Sequence, residues 1–188
     1  MEEKNKQENI YEEVSIPVEE AARWVMRNVI PFSLIALVPF FMVFGFGVFS
    51  GVSLVSVILF IVLVLFGLVF HELLHALVFV IFSRNGIRNV SFGIEPKTRS
   101  PWCHFKGEMS VLLYRVGALT PFFVMGLFPL IYAWFNQSPG WLFFGYIFSV
   151  GGGGDWVSFF LTRNLKWSDK IKDHPSKLGF YIVKSSER

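Results

Sequence analysis

Lys and Arg occupy only three places along this chain, and the long gaps between them decide what it can fold into. Four precede position 31 (Lys4, Lys6, Arg23, Arg27), six lie from Arg84 to Arg115, and the rest begin at Arg163. Between Arg27 and Arg84 the sole acidic residue is Glu72, and between Arg115 and Arg163 it is Asp155. Hydrophobic residues make up 53% of the chain and charged ones 16%. A soluble domain carries about a quarter charged residues, so the gaps read as membrane.

At roughly 20 residues per crossing, each gap holds two spans. The breaks come at Gly45–Gly51 and at the polar turn Asn136–Gly140. The spans are expected near 31–49, 53–83, 116–135 and 141–162. The fold class expected is therefore an all-α membrane protein of four transmembrane helices. A short cytoplasmic β-containing loop separates the second from the third. Residues 1–30 form a cytoplasmic N-terminal segment, 31–162 the membrane domain and 163–188 a cytoplasmic tail.

Four spans put both termini and the 84–115 loop on one side, and every cation with them. By the positive-inside rule that side is the cytoplasm, making this a multi-pass cell-membrane protein. The first 30 residues are polar and acid-rich, with no apolar core of a signal peptide. Val18, Ala21, Ala22, Val25, Met26 and Val29 recur at helical spacing behind Pro17. This stretch reads either as an amphipathic helix at the interface or as a helix packed on the 84–115 loop. Alternation in Ile87–Ile94 and Phe105–Val111 predicts two short strands around Pro96–Pro101, and Gly179–Val183 a further one. The single cysteine, Cys103, excludes a disulfide framework.

Inside the second span the chain reads His71-Glu72-Leu73-Leu74-His75. Four residues turn a helix by about 400°, so both imidazoles leave one face a turn apart, a spacing that suits one metal ion. Glu72 stands beside them as a group able to take a proton from water at that metal. Ionisable groups are costly within a span and mark function by default. The spans hold only His71, Glu72, His75 and Asp155. The bland reading is a polar trio bonding neighbouring helices.

A catalytic zinc takes three protein ligands and keeps one position open. Asp155 is the one other carboxylate in the spans. It lies about 12 Å from the cytoplasmic end of its span, against about 13–14 Å for His75. Matching depth makes it the candidate third ligand; a helix-packing carboxylate or a proton relay is the alternative. Gly151-Gly152-Gly153-Gly154 precedes it, permitting close backbone approach or local unwinding. Cys103-His104 reads as an extra ligand, a blocking group or a solvent-facing pair, and Asp173-His174-Pro175 as a turn. Pro121 and Pro129 either kink the third span or are simply tolerated. No phosphate loop, Ser/His/Asp set or nucleic-acid-binding patch is evident, and no nucleic-acid partner is expected.

HELLHALVF near the end of one span, a strand-like loop, a Pro-containing span, GGGGDWVSF and a trailing DHPSKLGFYIV resemble the DUF3267 zincin-type membrane peptidases. The resemblance covers about residues 60–183. The core is also similar to the site-2 protease class of intramembrane metalloproteases, although Asp155 is followed by Trp156 where those enzymes carry an Asp-Gly pair. The resemblance implies His71, His75 and Asp155 as Zn2+ ligands and Glu72 as catalytic base. The substrate expected is a membrane protein or peptide cut within or beside the lipid bilayer. The alternative is a non-catalytic membrane metal-binding or transport protein using the same residues.

Overall fold

The computed structural model describes residues 10–83, 86–94, 101–175 and 177–184. The elements run β1 (Ile10–Ile16), α1 (Val18–Phe44), a 3₁₀ turn (Phe46–Phe49), α2 (Leu54–Phe82), α3 (Gly86–Asn89), β2 (Val90–Ile94), β3 (Pro101–Phe105) and β4 (Glu108–Ser110). Then follow α4 (Val111–Pro121), a π-helical stretch (Phe122–Leu127), α5 (Phe128–Asn136), α6 (Pro139–Gly151), α7 (Gly153–Leu161), β5 (Lys170–Asp173) and β6 (Leu178–Lys184). The chain is mostly helical, and three of its helices are long and apolar enough to cross a membrane: Val18–Phe44, Leu54–Phe82 and the run Val111–Asn136.

The breaks fall where the composition placed them. Gly45 ends α1 at a φ of 67°, a conformation that a side chain would strain, and Ser53 opens α2 with a reciprocal capping box to Ser56. Ser138 caps α6 with Pro139 in its first turn. Three expectations change. Residues 18–30 are not a separate interfacial helix: they continue into the first span as one helix through Pro31. The interval 141–162 is not one helix, because Gly152 separates α6 from α7. The chain is also not all-α, since it carries two antiparallel sheets.

One sheet is the β2–β3 hairpin, with Phe92 opposite Cys103. The strands differ from those expected: Ile87 lies in α3, Pro101 already belongs to β3, and 105–111 is divided between β3, β4 of the other sheet and the start of α4. Positions 95–100 of the expected turn lie outside the described residues. The other has the order β1-β6-β5-β4, with Val14 opposite Phe180 and Met109 opposite Ile171. It gathers strands from the N-terminal segment, the 84–115 loop and the tail. Phe79, Phe105, Met109, Val111, Tyr114, Ile171 and Phe180 form the core beneath it. Of the expected turn Asp173-His174-Pro175, Asp173 still pairs in β5 with Phe180, and the chain leaves the strand at His174, whose N–H donates to the Gly179 carbonyl (3.1 Å).

The helices split into an outer and an inner set. Large apolar side chains along α1 and α2 point outward, from Leu34 and Ile35 to Leu65 and Phe66. So extended an apolar surface suits hydrocarbon and not water. The run Val111–Asn136 is the inner one. Leu74, Met125, Phe144 and Phe148 pack α2, the π stretch and α6 together, while Phe40, Ala133 and Leu142 join α1 to α5 and α6.

With no hydrophobic drive between helices in lipid, small residues set how closely they approach. A Cβ on Gly145 would lie 2.6 Å from the Gly126 carbonyl oxygen and 2.8 Å from the Leu130 nitrogen, both backbone atoms. Gly145→Ala is therefore expected to cost about 1–3 kcal/mol, the range for overpacking. Gly140→Ala, whose Cβ would meet only Ser138 Oγ at 3.9 Å, is expected to cost nothing. Thermal unfolding of the two variants in detergent checks the pair; equal midpoints would refute the close-packing account.

Candidate metal centre

α2 carries His71, Glu72 and His75 on the side turned toward α4 and α7. Both imidazoles are buried, each about 8% exposed. One ligand atom from each of His71, Glu72 and His75 can be chosen so that all lie within 4.8 Å of one another. The Phe148 ring stacks on His71 at 6.2 Å between centroids, and the two imidazoles stand edge-on 5.0 Å apart.

Asp155 faces both imidazoles from the first turn of α7. Its Oδ2 lies 3.0 Å from His71 Nε2 and its Oδ1 3.4 Å from His75 Nε2. The break at Gly152 separates α7 from α6, and at the start of α7 the Asp155 N–H donates to the Gly152 carbonyl (3.0 Å). Two of the four glycines have close neighbours. A Cβ on Gly153 would strike Val25 of α1 (2.6 Å), and one on Gly152 would press on Asp155 Oδ2 and the Phe148 carbonyl oxygen (both 3.2 Å). Gly151 faces open space.

Arg115 of α4 fixes the far end of α7. Its Nε donates to Thr162 Oγ1 (2.8 Å) and its Nη2 to the Thr162 carbonyl (2.6 Å). These bonds tie α4 to the end of α7, where the Thr162 carbonyl also accepts the Leu165 N–H at 2.8 Å. Asp155 is thus held from both ends of a short helix.

The donor set fits a zinc ion. His75 Nδ1 donates to the Gly117 carbonyl of α4 at 2.9 Å, which leaves Nε2 as the lone-pair nitrogen. That lone pair faces a carboxylate oxygen, an arrangement a cation between them resolves. His71 Nδ1 is buried with no hydrogen-bond partner, so the polar bonding of that ring is concentrated on Nε2. Two ligands at about 2.0–2.1 Å in tetrahedral geometry stand about 3.3 Å apart, close to the 3.0 and 3.4 Å observed.

Glu72 sits differently. Its carboxylate accepts from the backbone N–H of Cys103 and lines cavities of about 380 and 250 Å³ on the two sides of the ligand cluster. Strand β3 roofs the first of these with Trp102 and Cys103. The Cys103–His104 pair does not face solvent freely. Cys103 is half-buried in this wall, and burial, followed by the Glu72 and Asp173 carboxylates, pushes its thiol up to about 12. His104 Nδ1 instead pairs with Asp173 Oδ2 at 2.7 Å, latching the hairpin to β5.

The sequence reading missed the Gly117 carbonyl and the β3 roof. No side chain announces the first, and the second depends on how the hairpin folds back over α2.

A model of the DUF3267 family, described as "Putative zincin peptidase", matches residues 64–166. The matched stretch runs from within α2 to just beyond α7 and includes all four candidate residues. Neither a curated protein nor a solved structure matches the chain.

Proposed function

The chain belongs to the DUF3267 zincin peptidase family, and on that premise we propose that it is an intramembrane zinc metalloendopeptidase. The observation that carries the reading is the shared carboxylate: one Asp155 oxygen turned to each imidazole nitrogen, with Glu72 beside them but engaged elsewhere. His71, His75 and Asp155 would hold the ion. Zinc bound there would supply Lewis-acid polarisation of a scissile carbonyl and an acidified water.

The chain's own residues do the rest. Glu72, aimed into the cavity beneath β3, accepts the proton of the attacking water and returns it to the leaving amine. The Cys103 N–H orients that carboxylate. Gly117 holds His75 in one tautomer. The aromatic and strand walls restrict water around the reacting groups.

The substrate is a peptide bond of a membrane-embedded or membrane-adjacent segment, because the site opens where apolar helices meet the small sheets. The shared sheet supports the topology. Strands from 10–16, 108–110, 170–173 and 178–184 can pair only on one side of a bilayer. With the cations in those same regions, that side is the cytoplasm. The broken α6–α7 pair acts as the fourth membrane-inserted segment.

The test uses detergent-purified protein and a panel of fluorogenic single-span peptides. Cleavage is expected to stop on treatment with a zinc chelator and return when zinc is added back. Stoichiometric zinc with no cleavage of any peptide would favour the metal-binding or transport alternative.

A further inference from the structure

The Gly117 carbonyl is available to His75 for a reason written four residues later. In an α-helix that oxygen receives the N–H of residue i+4. Here that residue is Pro121, which has no N–H and whose ring pushes against the i−4 carbonyl. The next N–H along, that of Phe122, goes to the Leu119 carbonyl instead. Pro121 is fully buried in α4, and the π-helical stretch begins immediately after it. In hydrocarbon a freed backbone carbonyl must find another donor, and His75 Nδ1 stands 2.9 Å from it. Gly117 brings the two helices close enough for this. A Cβ there would sit 2.7 Å from Phe79 Cε1 of α2.

We propose that Pro121 is a positioning residue of the metal centre. By withholding an N–H it leaves the Gly117 carbonyl to His75 Nδ1–H, which locks the tautomer that presents Nε2 to the ion. The proposal rests on the zinc reading above and adds a residue that touches neither metal nor substrate. It also explains why a helix-disfavouring residue stands in a buried turn of the inner helix.

The test compares the full chain in detergent with two variants at one position. Pro121→Ala restores the N–H. Replacing Pro121 by lactic acid through nonsense suppression gives the same methyl side chain on an ester, still without an N–H. Zinc affinity is read by competition with a chelating dye, and thermal stability is read on the zinc-free protein. Pro121→Ala is expected to bind zinc about 10–100-fold more weakly, the usual cost of a disturbed outer-shell partner. Its zinc-free stability should equal or exceed that of the wild type, since alanine suits a helix better than proline. The ester should bind zinc like the wild type.

Unchanged affinity in Pro121→Ala overturns the proposal. Equal losses in both variants also overturn it, because they trace the effect to the missing ring and not to the N–H. Should Pro121→Ala fail to fold, nitrogen NMR of zinc-loaded, histidine-labelled wild type decides: a proton on His75 Nδ1 upholds the proposal, and metal on that nitrogen overturns it. A wild type that takes up no zinc sinks the zinc reading and this proposal together, whereas failure of the proposal alone leaves wild-type zinc binding intact.

Discussion

Glu72→Gln is expected to keep its zinc and its fold while losing peptidase activity by roughly 10²–10⁴-fold, the range for removing a general base. The amide preserves the side chain's length and shape. It can still occupy the wall beneath β3, although the charge that accepts the Cys103 N–H is gone. It cannot take a proton from water. The imidazoles and Asp155 keep their mutual geometry, since Glu72 is not between them. Cleavage of the fluorogenic peptides, measured beside zinc content on the same preparation, separates the cases. Wild-type cleavage by Glu72→Gln would remove the carboxylate from the mechanism. Zinc loss as complete as that of a ligand variant would make Glu72 a ligand, the role its proximity to both histidines also permits.

Asp155→Asn and His75→Ala should fail at an earlier step, by not holding the ion. Asp155 offers one oxygen to each imidazole side. The amide offers one oxygen and one N–H₂, so it loses the negative charge and turns a donor toward one of the two imidazoles. His75→Ala removes a nitrogen donor and strands the Gly117 carbonyl without its partner. Each is expected to weaken zinc binding by more than the roughly 10–100-fold cost of losing an outer-shell group. Metal analysis after dialysis against a graded chelator measures this directly. Asp155→Asn with wild-type zinc affinity would exclude Asp155 as a ligand and return it to helix packing.

Much of the candidate site was legible because helices and hydrocarbon impose simple rules. The i, i+4 spacing of His71 and His75 places both on one face whatever surrounds them. The scarcity of ionisable groups in the apolar stretches left Asp155 as their partner, and counting residues from the flanking arginines set the two at one depth. Other features could not be read this way. The place of the Cys103–His104 pair, in the wall beside Glu72 and latched to Asp173, depended on how the hairpin folds back over α2. The four glycines looked alike in sequence, yet only Gly152 and Gly153 meet close neighbours.

By itself the sequence determined the apolar helices, their breaks at Gly45–Gly51 and Asn136–Gly140, and the paired histidines. Those follow from local hydropathy, turn chemistry and helical period, which act over a few residues. Only the tertiary structure decided that residues 18–30 continue into the first span, that Gly152 splits the last apolar stretch, and that β1, β4, β5 and β6 form one sheet. It also decided that the two oxygens of Asp155 divide between the two imidazoles while Gly117 secures one ring from behind. Each of these joins residues far apart in the chain through pairing, close approach and the need to satisfy polar groups in an apolar surrounding, and no local pattern encodes which distant partner will meet that need.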